Sequence, residues 1–327
     1  VALTRPYTEA ELGEVGQQLV AVYTAGERDI LALLSAKGGL TSWKRAFLVQ
    51  QLSQVRAKLD ELRGAGREWA GFHLPTLYEH SMDVVYDATG RPTLGPGGLS
   101  KAAHPGEVTQ MDLGMVALHS EAIDEVVRST VAQLDFATGG VGRRLDQLQA
   151  AATPTTKRGD VYRQKALAAV SEGLTQGETI REVGKRLERK LRGEGLTSFT
   201  DAAGREWTLG NYTEMVAMTT PRETAVLGLM NTMAEVDEDL VKVSSTGDPC
   251  DRCIPWQGEL LSLTGATEGY PTYEEARQSG LHHPRCRHNL QPWTKLLHGE
   301  PEQRTAEEAA ALLAGILQEQ QALGKVA

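Results

Sequence analysis

All three cysteines of this 327-residue chain fall in the 37 residues from Cys250 to Cys286, within a stretch that opens with Cys250-Asp-Arg-Cys253 and closes with His282-His283-Pro-Arg-Cys286-Arg-His288. Two ligand-rich knuckles about 30 residues apart let a chain assemble a tetrahedral zinc site from a turn and a second loop. A Cys-x-x-Cys turn aims two sulfurs at one point while its backbone N–H groups steady the thiolates. The second knuckle then supplies Cys286 and one imidazole, from His283, His288 or, as the weaker candidate, His282. Three thiolates and one imidazole around Zn²⁺ sum to a charge of about −1, which the flanking Arg252, Arg285 and Arg287 can offset. An odd number of clustered cysteines fits a metal better than a disulfide framework. The competing reading, three reduced thiols among surface histidines, does not explain why the histidines and cysteines fall together.

Four protein ligands leave no open position, so the expected zinc is structural rather than hydrolytic. Catalysis would need an open position and a nearby base, for which Glu259 is a candidate by proximity in sequence alone. His288-Asn289 invites comparison with His-Asn-His nucleases, but those need a free catalytic histidine on a ββα element beside a divalent ion. Here the histidine-rich knuckle is already committed as a ligand donor.

Helical periodicity dominates the rest of the chain. Thr8-Glu-Ala-Glu11 has the order of a capping box and opens a helix to about Lys37, with Leu12, Val15, Leu19 and Val22 on one face. Gly38-Gly39 ends it. A second helix from about Thr41 carries Leu48, Leu52, Val55, Leu59 and Leu62 in a 4-3-4-3 spacing continued by Trp69, and the pair is expected to form a helical hairpin. Glycine and proline crowd Asp87 to Pro105 and mark a loop. Periodicity resumes at Thr109 through Leu113, Val116, Ile123, Val127 and Leu134, and Gly139-Gly140 and Thr153-Pro154 are expected to break it. A helix follows from Asp160 to about Gly173.

The next helix, Thr179 to about Arg192, has a second capping box, Thr179-Ile-Arg-Glu182. Arg181, Lys185, Arg189 and Arg192 share one face of it and Ile180, Val183, Leu187 and Leu191 the other. The basic face could meet DNA phosphates or an acidic protein surface. Glu188 sits on the same face and can pair with its basic neighbours, as on an ordinary solvated helix. A net charge of −9 argues against a protein that coats nucleic acid over its whole surface.

From Ser198 the texture changes. Phe199 and Trp207 flank an Asp-Ala-Ala-Gly turn, an expected hairpin. Asn211 to Met233 reads as a helix broken or kinked at Pro221. Leu240–Ser245 and Trp256–Ser262 read as strands, Pro271–Arg277 as a short helix, and Thr305–Leu323 as an amphipathic helix through Leu312, Leu313, Ile316 and Leu317. No segment approaches the ~18 uninterrupted apolar residues of a membrane span, and no signal-peptide core opens the chain, so folding in a cytoplasm is expected.

The order of these pieces resembles a known family. Phe199-Thr-Asp-Ala-Ala-Gly-Arg-Glu-Trp207, Tyr212 to Ala225, Asp248-Pro-Cys-Asp-Arg-Cys-Ile-Pro-Trp-Gln-Gly258, Tyr270-Pro-Thr-Tyr-Glu-Glu-Ala276 and His283-Pro-Arg-Cys-Arg-His288 follow one another as in tailed-phage minor capsid proteins. The resemblance is to the minor capsid protein 2 group and the broader Mu-type head-morphogenesis family, and covers the C-terminal third. It implies a non-enzymatic virion protein assembled in the host cytoplasm and placed at the portal vertex and capsid interior. Several copies would bind portal protein, major capsid protein or packaged DNA, and aid head assembly, packaging or ejection, with no membrane contact. In the wider family the last knuckle often ends in Cys, which gives His288 weight as a ligand beside its rival His283. Some relatives are compared in fold with ADP-ribosyltransferases, whose chemistry needs an Arg and a Glu around a nicotinamide pocket. Arg222 and Glu223, adjacent on a helix, are expected to point apart and not to form one. A DNA-contacting packaging or ejection factor, and more remotely a metal-dependent nuclease or transferase, are the alternatives.

The expected fold is mainly α with a C-terminal α+β module: elongated helical N-terminal and middle regions, and a small zinc-stapled domain near the C-terminus. The expected divisions are a helical hairpin region at 1–105, a middle helical region at 106–197, the α+β module at 198–297, and an amphipathic helix at 298–327.

Overall fold

A computed structural model describes residues 4–34, 45–95, 97–99, 113–151, 189, 197–247 and 249–322. These form the helices α1 (Glu9–Leu34), α2 (Arg45–Ala88), α3 (Leu113–Ala151) and α4 (Leu209–Glu235), with the strands β1 (Ser198–Thr200) and β2 (Glu206–Thr208) between α3 and α4. After α4 come β3 (Leu240–Val243), β4 (Leu260–Ser262), α5 (Tyr273–Gln278), β5 (Leu290–Pro292), α6 (Lys295–His298) and α7 (Ala306–Ala322). The chain is mainly helical, with its strands toward the C-terminal end. Two compact units are built from interleaved segments: Val1–Gly16, Ala70–Arg128 and Ala217–Ala327 form the first, Gln17–Trp69 and Ser129–Val216 the second.

In the second unit α1 and α2 pair as a hairpin, with Leu33 near Gln51, Asp29 near Lys58 and Tyr23 near Leu62. The Tyr23 hydroxyl donates to the Leu62 carbonyl at 2.9 Å and the Gln51 amide to that of Leu33 at 2.7 Å, so polar tips find partners inside the seam. Val55, Leu59, Leu62 and Trp69 are buried as the heptad spacing predicts. On α1 the buried line runs Leu19, Tyr23, Ile30 and Leu31, and Val22 is 43% exposed. A 3.6-residue helix drifts off a regular three-four alternation, and the larger Tyr23 takes the inward place.

Gly139-Gly140 do not end α3, which runs through both. The glycine at 140 serves packing instead: a Cβ there would lie 2.5 Å from Cβ of Phe199. Phe199 enters an edge-to-face group with Phe136 and Tyr212, and Tyr212 with Trp207, at centroid distances of 5.7, 5.1 and 5.5 Å. The hairpin pairs as expected, Ser198 with Thr208 and Thr200 with Glu206. Its turn is held by Asp201, whose carboxylate accepts from the N–H groups of Ala203 and Arg205 and from the Trp207 indole, each at 2.9 Å. Gly204 supplies the left-handed residue at φ 78°. The buried Glu27 accepts from the Thr197 hydroxyl and the Gly210 N–H, tying α1 to both ends of the hairpin.

A break or a kink was expected at Pro221; in the first unit α4 is not broken there and continues through it. Proline has no N–H to donate to the carbonyl four residues back, that of Ala217. Gly16 of α1 lies against this same carbonyl, so close that a Cβ would stand 2.3 Å from its oxygen. The three-stranded antiparallel sheet has the order β4-β3-β5. Val241 pairs with Leu261 on one side and Pro292 on the other. The expected strand at Trp256–Ser262 is instead a 3₁₀ turn at Ile254–Trp256 followed by β4, because Pro255 at its start favours a turn. The core gathers Tyr78, Met82, Leu229, Met233, Val241 and Trp256, with Ile316 of α7 closing over it. A buried polar chain crosses it: Asn231 donates to the Tyr78 hydroxyl at 2.7 Å, Tyr78 meets His119 at 2.8 Å, and His119 and Tyr86 both reach the Glu235 carboxylate. No described helix is long and apolar enough to cross a membrane.

Two predictions follow from packing and charge. Gly→Ala in a helix interior ordinarily stabilises by about 1 kcal/mol, and Gly64→Ala, with open space around it, is expected to do so. Gly140→Ala is expected to reverse the sign and destabilise by roughly 1–3 kcal/mol through overpacking on Phe199; urea unfolding of both variants reads the difference. The second concerns Asp239. Burial pushes its carboxyl up, but hydrogen bonds from Ser262, Thr267 and Thr264 outweigh that and hold it down at about 2. A depressed carboxylate contributes stability above its unfolded value of 3.8 that is lost as pH falls toward 2. Asp239→Asn is therefore expected to flatten stability against pH in that window and leave the slope above it unchanged, as read by denaturant midpoints.

Candidate metal centre

The first knuckle is a tight turn after β3. Cys253 and Ile254 both donate their N–H to the Cys250 carbonyl, at 2.9 and 3.0 Å, and Trp256 donates to that of Cys253. The fully buried Trp256 anchors the turn in the core, and Gln320 of α7 donates to the Arg252 carbonyl at 2.6 Å. The second knuckle lies between α5 and β5. Thr272 and Glu275 close a capping box at the start of α5. The chain then passes through His282 at φ 58° and Arg285 at φ 63°, two left-handed residues that are not glycine and must be held by their surroundings. Cys286 donates its N–H to the His283 carbonyl, Arg285 donates its own to Thr219 Oγ1 at 3.1 Å, and Ser244 and Asn289 exchange bonds that join the loop to β3.

All five predicted donors come together. Cys250, Cys253 and His283 form one group of mutually close ligand atoms, and Cys253, Cys286 and His288 a second; Cys253 belongs to both. The Sγ atoms of Cys253 and Cys286 are 3.7 Å apart, Cys286 Sγ is 3.6 Å from Nδ1 of His288, and Cys250 Sγ is 3.0 Å from Nε2 of His283. Zn–S near 2.3 Å and Zn–N near 2.0 Å put tetrahedral ligands roughly 3.5–3.8 Å apart, so the first two separations match tetrahedral edges. Cys253, Cys286 and His288 are buried, and Cys250 is exposed. With Pro249, Arg285 and Arg287, four of the donors line a cavity of about 220 Å³.

Both histidines retain a case as ligand. His283 turns Nδ1 to the Pro284 carbonyl at 2.7 Å, which orients Nε2 toward Cys250 in the manner of ligating imidazoles. His288 keeps better separation from Cys286, and its buried Nε2 has no protein partner. His282 faces away into the core, with Nδ1 at 2.8 Å from the Tyr273 hydroxyl; burial, and then the nearby Arg222, hold it down at about 3, so it is neutral. The Cys286 thiol is pushed below the ordinary range, first by its hydrogen bond with Cys253 and then by His288 and Arg222. Cys253 is pushed up by the same bond and by burial.

Of the flanking arginines, Arg287 pairs with Glu9 at 3.1 Å. Glu259, the candidate base, faces Arg304 at 3.8 Å and is not among the clustered donors. Arg181, Lys185 and Arg192 lie outside the described residues, and Arg189 is helical and exposed. Arg222 and Glu223 do not point apart: they approach to 3.6 Å, and the Arg222 guanidinium turns to the knuckle carbonyls, donating to that of Cys286 at 2.8 Å. Sequence reading missed this part for Arg222, and likewise Gln320 and Thr219; each lies more than 60 residues from the backbone it holds.

Comparison with curated proteins and with solved structures returns no match. A family model described as phage minor capsid protein 2 matches residues 120–324, more than half the chain and all of both knuckles. The sheet, the clustered donors and the helix that supplies Arg222 thus fall inside one matched region, and the chain belongs to the phage minor capsid protein 2 family, as a structural component of a phage particle.

Proposed function

We propose that this chain is a non-enzymatic minor component of a tailed-phage head, placed on the capsid interior at the portal vertex. There it binds the portal protein or the major capsid protein and aids head assembly, DNA packaging or ejection. Its C-terminal α+β module is stapled by one structural zinc ion. The observation that carries the reading is the convergence of five Cys and His donors on the edge of an apolar core, inside the family-matched residues. The donors fit the group: thiolates and imidazoles are zinc's preferred ligands, two donor separations match tetrahedral edges, and His288 turns Nδ1 toward Cys286. Cys250, Cys253, Cys286 and one of His283 and His288 would hold the ion, and zinc would supply a fixed cross-link between the β3 turn and the loop before β5. Four protein ligands support a structural role over a hydrolytic one.

A small sheet of strands three to four residues long explains the need. Such a sheet has few ladder bonds, and a structural zinc site contributes on the order of 10 kcal/mol to folding. Cys253→Ser is expected to abolish stoichiometric zinc and to unfold this module. Elemental analysis and thermal melting check it; full occupancy with an unchanged melt would refute the zinc assignment. Placement is tested separately, by quantitative mass spectrometry of purified particles that counts this chain against the major capsid protein. A low, fixed copy number that survives cross-linking to portal protein is expected. A chain missing from mature particles would overturn the placement and leave an assembly factor.

A further inference from the structure

We propose that Arg222 is the counter-ion and positioning residue of the metal centre, and that the centre it balances is anionic, with three thiolates and one imidazole. This rests on the zinc reading above and deepens it, because it names the residue that balances the charge of that ligand set and holds its second knuckle.

The geometry is specific. Arg222 stands in the middle of α4, directly after Pro221, and is 2% exposed. Its guanidinium donates to the carbonyls of Cys286 at 2.8 Å, His283 at 3.4 Å and His282 at 3.5 Å. All three acceptors belong to the loop that carries two non-glycine residues at positive φ. A loop with that backbone keeps its shape only where surrounding groups over-determine it. A planar fork with five N–H donors can span three carbonyls, which one ammonium on a flexible stem does less well.

Charge points the same way. A guanidinium remains protonated when buried, so its burial is costly unless an opposite charge lies close. The carboxylate that pairs with it, Glu223, is 3.6 Å away with its side chain 57% exposed, where water screens the interaction. The knuckle whose carbonyls Arg222 binds holds Cys286, and Cys253 lies 3.7 Å from that sulfur. A set of two thiolates and two imidazoles around Zn²⁺ would be neutral and leave Arg222 uncompensated. Three thiolates and one imidazole carry about −1, and with Arg222 the buried assembly sums to zero. The exposed Cys250 supplies the third thiolate at no burial cost to the core.

The test uses the full chain with Co²⁺ and Zn²⁺ as probes. Wild type is expected to bind one Co²⁺ with the thiolate-to-cobalt absorption intensity of three thiolates. Arg222→Gln is expected to lower zinc affinity about 100-fold, and Arg222→Lys, which keeps the charge, no more than about 10-fold, by competition with a chromophoric chelator. In a Cys250→His background, where the set is neutral, Arg222→Gln is expected to cost little. If Arg222→Gln does not fold, Arg222→Lys and the wild-type cobalt spectrum still decide. Equal affinity of Arg222→Gln and wild type, a two-thiolate cobalt spectrum, or a loss in Arg222→Lys well beyond 10-fold would each overturn the assignment while leaving a metal site standing. A wild-type chain that takes up neither ion would instead bring down the zinc reading itself.

Discussion

Two thiols, two imidazoles and a guanidinium are buried at the edge of one apolar core, and the architecture of the first unit follows from having to satisfy them. Polar groups removed from water are costly unless they find partners, and the cost rises steeply for a charge. Several elements meet at them. The Cys253 and Ile254 N–H groups close the turn after β3 on the Cys250 backbone carbonyl, α4 sends Arg222 to the carbonyls of the second knuckle, α5 offers Tyr273 to His282, and α7 lends Gln320 to the Arg252 carbonyl of the first. The hydrophobic cluster that contains Cys253 and Cys286 also contains Trp256, Leu281 and Ile316, so donor placement and core packing are one event. A change that frees either knuckle would expose the apolar edge as well.

The local grammar of the chain was legible because it depends on neighbours in sequence. The capping box read at Thr8–Glu11 closes as its spacing requires, the one read at Thr179–Glu182 lies outside the described residues, and two that were not read, Thr272–Glu275 and Thr305–Glu308, close in the same way. The hairpin around Asp201 forms because the turn residues and the flanking aromatics both ask for it. Where helix ends were misplaced, the cause was the reading of glycine and proline as punctuation. Gly139-Gly140 and Pro221 sit inside uninterrupted helices. At Gly140 the missing side chain makes room for Phe199, and at Pro221 the carbonyl left without its helical partner is the one that Gly16 approaches. Whether a glycine ends a helix or admits a neighbour depends on an atom far away in sequence. β5 escaped notice for the same reason, being three residues long with proline at its end and defined only by its pairing with β3.

The candidate site divides along the same line. Its donors could be read, since Cys and His at ligand spacing leave few competing explanations. Its supports could not. Arg222 and Glu223 are adjacent, which suggested divergent side chains, yet a long arginine can bend back past its neighbour once three carbonyls are arranged to receive it. Nothing in helical periodicity marks Arg222 for burial. The one available signal was indirect: it follows a proline within the stretch from Tyr212 to Ala225 on which the family resemblance rested.

The interleaved units bear on how such a staple can act. A metal at the knuckles would join two loops of the first unit that are already drawn together by antiparallel strands β3 and β5. Its contribution would therefore lie less in closing a long loop than in fixing the loop's exact backbone, including its two left-handed residues, against thermal opening. A structural component of a phage particle gains from a surface that is formed before it meets its partner, because ordering a loop on binding subtracts directly from affinity. The second unit is packed by an aliphatic seam and an edge-to-face aromatic group. The clustered donors lie beside strands of three to four residues, and α7 packs Ile316 onto the core that the first knuckle enters.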